Sequence, residues 1–257
     1  MPMTTPSMTA GSGGLVVTRP IEQGAALMRG IEKAGGRAWH LPTIEISPLR
    51  PNPERMADRL RGAQWFVFIS GNAVQQGWPL LPLWLTQNAQ LAAVGKQTAL
   101  LLKTISQREV LHPTEGADSE ALLAMPALQK LTGQKIVIVR GEGGREWLKS
   151  TLSKRGAEVL YLECYKRCLP HLSMDVLDDA LLQNAAISVQ SVESLRNLWQ
   201  LCDEAHQQKL QQQPFLVTHT RIADAVAALG VSNIHMTEPG DVAIIEGWKN
   251  LKAHHGH

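Results

Sequence analysis

Cysteine is scarce in this chain of 257 residues, which carries only Cys164, Cys168 and Cys202. An odd number without paired spacing argues against a disulfide framework and for a reducing cytoplasm. Cys164-x-x-x-Cys168 has no second ligand pair, and His254, His255 and His257 form no closed set, so no metal site is expected. No apolar run approaches the roughly 20 residues that span a bilayer. The first residues lack a charged stretch followed by an apolar one, so no secretory signal is expected. Neither sign of charge is in excess: 25 Lys and Arg against 23 Asp and Glu leave +2, which implies no general attraction to nucleic acid or membrane. Chemical signatures are missing as well. There is no P-loop, no Ser-His-Asp order and no His-x-x-x-His on a helix. Gly141-x-Gly143-Gly144 is a weak nucleotide signal, because Glu146 stands where a third glycine belongs and no acid is placed for a ribose.

What is present is an alternation of buried strands and amphipathic helices. The stretch Ile136-Val137-Ile138-Val139-Arg140-Gly141-Glu142-Gly143-Gly144-Arg145-Glu146 reads as a strand buried on both faces, followed by a glycine-rich loop. Trp147, Leu148 and Leu152 then recur at helical spacing up to Arg155-Gly156, and Val159 and Tyr161 open the next strand. Leu15–Pro20, ending in an arginine, and Trp65–Ile69, Leu91–Val94, Arg108–Leu111, Ala185–Val189, Phe215–Val217 and Asn233–Met236 read as further strands, most of them entering a helix through small polar residues. Thr43–Ser47 and Glu163–Cys168 read as exposed strands bounded by prolines. Met56–Leu60 reads as a short helix, and Gln207–Gln213 as a solvated helix end or loop.

These segments pair off at a near-constant offset. Val17-Thr18-Arg19 matches Ile138-Val139-Arg140. Ile69-Ser70-x-x-Ala73 matches Gln190-Ser191-x-x-Ser194. Val94-Gly95-x-Gln97-Thr98 matches Val217-Thr218-x-Thr220-Arg221, and Thr114-Glu115-x-x-Asp118 matches Thr237-Glu238-x-x-Asp241. An internal duplication follows. The expected fold class is α/β: two domains of parallel sheet flanked by helices, joined by a two-stranded linker.

The strand-to-helix turns supply the candidate site residues. Ser70, Asn72, Gln97, Thr98, Ser191 and Thr220 could simply cap helices, at about 1 kcal/mol each. Backbone N–H groups at the same helix ends also suit anions. Arg19, Arg140, Arg145 and Arg167 lie at strand ends or just beyond, where guanidinium groups would pair with a ligand carrying several carboxylates.

Together, Val17-Thr18-Arg19-Pro20, Phe68-Ile69-Ser70-Gly71-Asn72-Ala73-Val74, Ala93-Val94-Gly95-Lys96-Gln97-Thr98-Ala99, Arg140–Leu148, Cys164-Tyr165-Lys166-Arg167 and Thr220-Arg221-Ile222-Ala223 resemble the uroporphyrinogen-III synthase family in order and spacing. No single motif is diagnostic. The resemblance covers Leu15 to about Trp248. It implies a cleft between the two domains and a discontinuous first domain. The expected division is then a disordered leader (1–14), domain 1 (15–41 with 170–250), linker strands (42–50 and 160–169), domain 2 (51–159) and a flexible tail (251–257). It also implies a cytoplasmic, monomeric lyase without cofactor, acting on the linear tetrapyrrole hydroxymethylbilane. The upstream hydroxymethylbilane synthase is then a candidate partner, and neither nucleic acid nor membrane is. By this resemblance Tyr165 would be the proton donor, and Ser70, Ser191 and Thr220 would hold substrate carboxylates; Arg19, Asn72, Gln97, Thr98, Arg140, Gly141, Arg145 and Arg167 join them as substrate-binding candidates from their places at turns and strand ends. The second half departs from the family. Gln190-Ser191-Val192-Glu193 replaces an aromatic-Thr-Ser-Pro-like run, and Thr218-His219-Thr220 lacks a leading glycine. The competing expectation is a two-domain cleft protein that binds a polyanion without chemistry.

Overall fold

The computed structural model describes residues 13–254 apart from Ala117 and Arg145, and not the side chains of Glu22 and His254. The leader up to residue 12 and the end of the expected tail, including His255 and His257, lie outside the described residues. In chain order the strands are β1 (Gly14–Val17), β2 (Arg37–His40), β3 (Glu45–Pro48), β4 (Trp65–Phe68), β5 (Gln90–Ala93), β6 (Val110–Leu111), β7 (Lys135–Gly141), β8 (Glu158–Cys168), β9 (Ala186–Val189), β10 (Phe215–Val217) and β11 (Ile234–Met236). Helices connect them, and the chain divides into two compact units. One comprises residues up to Glu45 and from Cys168 onward; the other is Ile46–Arg167. Both crossings between units fall inside strands, in β3 and in β8.

The first unit holds a sheet of order β2-β1-β9-β10-β11, parallel throughout. Its residues alternate between two apolar clusters. Val16, Ile187, Val189, Phe215 and Val217 face one side; Leu15, Val17, Ala186 and Leu216 face the other. Both faces are covered by helices, so these strands read as continuous apolar runs. The second unit repeats the order as β8-β7-β4-β5-β6, again parallel, with β3 added outside β8. Phe66, Phe68, Val137 and Val139 face one cluster; Trp65, Val67, Ile136 and Ile138 face the other. The strands that carry matched motifs therefore occupy matched positions in the two sheets.

Several local expectations need revision. The short helix begins at Pro53, not Met56, because Asn52 caps it by accepting from the Arg55 N–H at 3.0 Å and proline is tolerated at the first helical position. Arg108 is not in β6; its guanidinium donates to the Thr86 C=O at 2.6 Å and to the Ala89 C=O. The glutamine-rich segment is the expected helix end: it closes helix Glu204–Leu210, capped by Asp203, and Gln211–Gln213 follow it. The expected leader includes Gly14, but Gly14 already opens β1, where a Cβ would stand 2.0 Å from the Arg37 C=O. The expected tail starts at residue 251, but helix Asp241–His254 continues through it, because Leu251 and Trp248 are buried in the first unit's core. Gly36 makes room for the Trp248 ring, which would lie 2.4 Å from a Cβ there.

The largest revision concerns β8. The sequence pattern makes Glu163–Cys168 a separate exposed strand. It is the end of one eleven-residue strand, and Cys164 and Tyr165 are both buried. Pairing with β7 explains this: Arg140 opposes Glu163 but Gly141 opposes Tyr165, so Cys164 is an extra residue in a bulge. A bulge breaks the two-residue alternation and turns two successive side chains inward. Burial pushes the Cys164 and Cys202 thiols up to about 12, and all three cysteines are unpaired. Among the described residues no helix is long and apolar enough to cross a membrane, and no acidic, His or Cys cluster could hold a metal.

Candidate functional site

In the second unit the candidate residues gather where parallel strands end and helices begin, the usual place for a ligand in an open α/β sheet. Ser70 follows β4 and caps helix Gly71–Gly77; its Oγ accepts from the Ala73 N–H at 3.1 Å. The same Oγ lies 3.2 Å from the Tyr165 hydroxyl. Beneath that phenol is Gly141, the last residue of β7. A Cβ at 141 would stand 2.6 Å from both Cε2 and Cζ of the ring, so only glycine leaves the ring its seat. The Tyr165 C=O accepts from the Glu142 N–H at 2.7 Å, which ties the start of the loop to β8. Asn72 lies half-buried in the turn beside Ser70. After β5, Gly95 caps helix Lys96–Ser106 with no side-chain acceptor, so the first turn around Gln97 and Thr98 keeps N–H groups without a side-chain cap.

Arg140 and the glycine loop form one packed object. The guanidinium is 4 % exposed, donates through Nε to the Gly141 C=O at 3.1 Å and lies 3.5 Å from Glu146. It stacks 4.5 Å from the centroid of the Tyr161 ring, which Lys149 Nζ also approaches, at 4.6 Å. Gly144 crosses it at φ +97, and a Cβ there would meet Nη2 at 2.6 Å. Two loop glycines are thus explained by what they cover: a phenol at 141 and a guanidinium at 144. Arg145 lies outside the described residues. Arg167 is exposed near the end of β8.

Tyr161 donates to Glu146 Oε2 at 2.8 Å, and its pKa is pushed up to about 12, first by burial and then by that acceptor, against an opposing pull from Arg140. Tyr161 and Tyr165 are the chain's two tyrosines. In Tyr165→Phe, phenolate absorbance should therefore rise with a midpoint near pH 12, and Glu146→Gln should lower it. A midpoint near 10 in the folded protein, the ordinary value for a phenol, would contradict this arrangement.

In the first unit, Arg19 follows β1 and is held by its own neighbours. It pairs with Asp241 at 2.7 Å and donates through Nε to Gln190. Ser191 caps helix Val192–Leu201 as Ser70 caps its own, accepting from the Ser194 N–H at 3.0 Å. Thr220 is the exposed first residue of helix Thr220–Ala227, whose cap, His219, makes no side-chain bond. Under these turns runs a buried hydroxyl network: Thr18 donates to the Ser188 C=O at 2.8 Å, Ser194 to Thr18 at 3.0 Å, and Thr43 lies 2.6 Å from Ser194.

A protein-family profile described as "Uroporphyrinogen-III synthase HemD" matches residues 25–244. The chain belongs to the uroporphyrinogen-III synthase family. It is 35 % identical over 245 residues to the uroporphyrinogen-III synthase of Escherichia coli K12, covering 88 % of this chain and 96 % of that one. It is 33 % identical, with the same coverage, to the protein of that name from Salmonella typhimurium. The fold matches a uroporphyrinogen-III synthetase from Helicobacter pylori at a TM-score of 0.60, with 15 % identity and 93 % and 99 % coverage. It also matches a mutant uroporphyrinogen III synthase from Thermus thermophilus at 0.59, with 19 % identity and 94 % and 99 % coverage. The profile match takes in the turns at Ser70, Ser191 and Thr220, the glycine loop and Tyr165, and starts after Arg19.

Within this synthase-family fold, four features escape a reading of the sequence: the Asp241 and Gln190 partners of Arg19, the Tyr161–Glu146 pair, and the Thr18–Thr43–Ser194 network. Gln190 and Asp241 do stand out in the sequence, the first as a departure from the family and the second within a repeated motif. Nothing local links either to Arg19, which lies more than 170 residues away.

Proposed function

We propose that this chain is a uroporphyrinogen-III synthase. It closes hydroxymethylbilane, a linear tetrapyrrole bearing eight carboxylates, into uroporphyrinogen III, inverting ring D and releasing water. The observation that carries this reading is the end-to-end relation to curated synthases, 35 % identity over 88 % of the chain. The classification as a lyase, the cytoplasmic location in tetrapyrrole biosynthesis and a monomeric state are part of the same proposal.

The geometry supports a role for Tyr165 as proton donor. Ser70 Oγ already accepts from Ala73 N–H, so its own proton can go to the phenol oxygen at 3.2 Å. The phenol proton is then free to pass to the hydroxymethyl oxygen of the substrate. The C–O bond breaks, water leaves, and the pyrrole nitrogen's electrons form an azafulvene cation. Ser70 stabilises the resulting phenolate. Ring D attacks through its substituted carbon, giving a spiro intermediate. The old bridge bond opens and re-forms at the free α-carbon, and the proton lost as that pyrrole regains aromaticity balances the one given up by Tyr165. The cation is resonance-stabilised, so one weak donor suffices and neither metal nor organic cofactor is required.

Most of the remaining work is to hold a flexible polyanion in one conformation. The residues proposed for this are Ser70, Asn72, Gln97, Thr98, Gly141, Arg145, Arg167, Arg19, Ser191 and Thr220. Arg140 contributes through the loop it supports. Asp241 sets Arg19's readiness: a substrate carboxylate must compete with it. Introduced into a bacterial strain that lacks its own synthase and requires haemin, this protein should restore haemin-independent growth. A stably produced protein that fails to do so would point instead to polyanion binding without chemistry.

A further inference from the structure

β8 has an outer edge that is incompletely covered. β3 lies beside it, and where that strand ends the Leu49 N–H donates to the Cys164 C=O at 2.9 Å. Beside Val159–Glu163 there is instead a cavity of about 610 Å³, walled on its other side by Leu49–Pro51 and the helix carrying Arg59. Backbone groups of a strand alternate sides, so Val159 shares the outward edge with Tyr161. The Tyr161 C=O is met there by a side chain: it accepts from the Arg59 guanidinium.

Three cations line this cavity: Arg50, Arg59 and Lys149. Among the described residues none of them is paired with a carboxylate. Arg50 donates only to the Leu49 C=O at 3.3 Å, Arg59 only to the Tyr161 C=O, and Lys149 lies over the Tyr161 ring. Some surface cations in this unit have acidic partners, as Arg61 has Asp58, Lys103 has Glu109 and Lys135 has Glu158, whereas Arg50, Arg59 and Lys149 are gathered without one in a single groove. Glu163 is an acid in the lining, which leaves the groove positive.

We propose that this groove docks an extended acidic segment of another protein, which adds as a strand to the open edge of β8 and sets its carboxylates against Arg50, Arg59 and Lys149. Two independent features select that occupant. An open strand edge offers unpaired N–H and C=O groups that only an extended backbone satisfies in series. The unpaired cations supply charge complementarity, which sets on-rate and partner choice. A lone phosphate or carboxylate would leave most of 610 Å³ unfilled and the edge unpaired. Arg59 acts as the guard of this edge. On docking it swings from the Tyr161 C=O to a carboxylate, freeing the carbonyl for an incoming N–H. The proposal does not rest on the synthase reading, since the groove is separate from the Ser70–Tyr165 pair.

The test uses the full-length protein and a fluorescein-labelled octapeptide of alternating Glu and Val, read by anisotropy and by amide hydrogen exchange. Saturable binding is expected, weakened at least tenfold at high salt and by Arg50→Glu/Arg59→Glu. Exchange at Val159 and Tyr161 should slow in the complex. Should the charge reversal lower the melting temperature, Arg50→Gln/Arg59→Gln replaces it, with the same expected direction. No saturable binding, binding insensitive to the variants, or exchange unchanged on binding would each overturn the proposal. Full displacement of the peptide by tripolyphosphate that itself slows neither amide would assign the groove to small anions and overturn it equally.

Discussion

Tyr165→Phe is expected to slow turnover by about 100-fold, the lower end of what a positioned proton donor contributes. The low end follows from the chemistry, because a hydroxyl whose departure as water generates a resonance-stabilised cation needs little acid strength. Affinity for product should stay within about twofold, because the phenyl ring keeps its seat on Gly141 and the carboxylate-holding turns are untouched. Stability should change by about 1 kcal/mol, the net worth of one hydroxyl contact. The measurement is kcat and product affinity on the same preparation. Unchanged kcat would remove Tyr165 from the mechanism, whereas a parallel loss of product binding would make it a structural residue.

Gly141→Ala should be as damaging to turnover and worse for the fold. Gly141 is not among the residues with positive φ, so alanine meets no backbone strain there. The cost is steric: the new methyl stands 2.6 Å from two atoms of a buried ring, and one of them must give way. Overpacking of this kind costs about 1–3 kcal/mol. For a chain of this size each kcal/mol lowers the melting temperature by roughly 2–4 °C. Displacing the phenol should also abolish its contact with Ser70, so Gly141→Ala and Tyr165→Phe should not add in their effects on kcat. In a Tyr165→Ala background the clash is gone, and Gly141→Ala should then be nearly neutral in a melt. Gly143 provides the contrast. It has φ +72, and a methyl added there would meet nothing within 4 Å. Gly143→Ala should therefore cost about 1 kcal/mol through backbone strain alone and leave kcat largely intact. Additive losses in kcat for the 141/165 pair would contradict a glycine whose purpose is to seat the phenol.

Much of this architecture can be read from the chain because its signals are local. Trp65–Phe68 and Ile136–Val139 are buried on both faces and therefore show as continuous apolar runs. Ser70 and Ser191 lie at the same point of matched motifs and cap matched helices with nearly equal geometry. What stays hidden depends on contacts distant in sequence. The bulge at Cys164 is set by pairing with β7, and it turns Tyr165 inward where simple alternation places it on an exposed strand. Arg140 reads as a strand-end cation ready for a ligand; its burial beneath Gly144 and against Tyr161 depends on a loop fold that no spacing announces. The glycine loop looks like a damaged nucleotide motif because glycine marks close approach without saying what approaches. Here a phenol and a guanidinium approach it.

The central claim is that this protein closes a linear tetrapyrrole with one ring inverted. The most direct measurement supplies hydroxymethylbilane to the purified protein, oxidises the products and separates the porphyrin isomers. The type III isomer should predominate, formed in proportion to protein concentration and faster than spontaneous closure. Type I alone, at the spontaneous rate, would contradict the account.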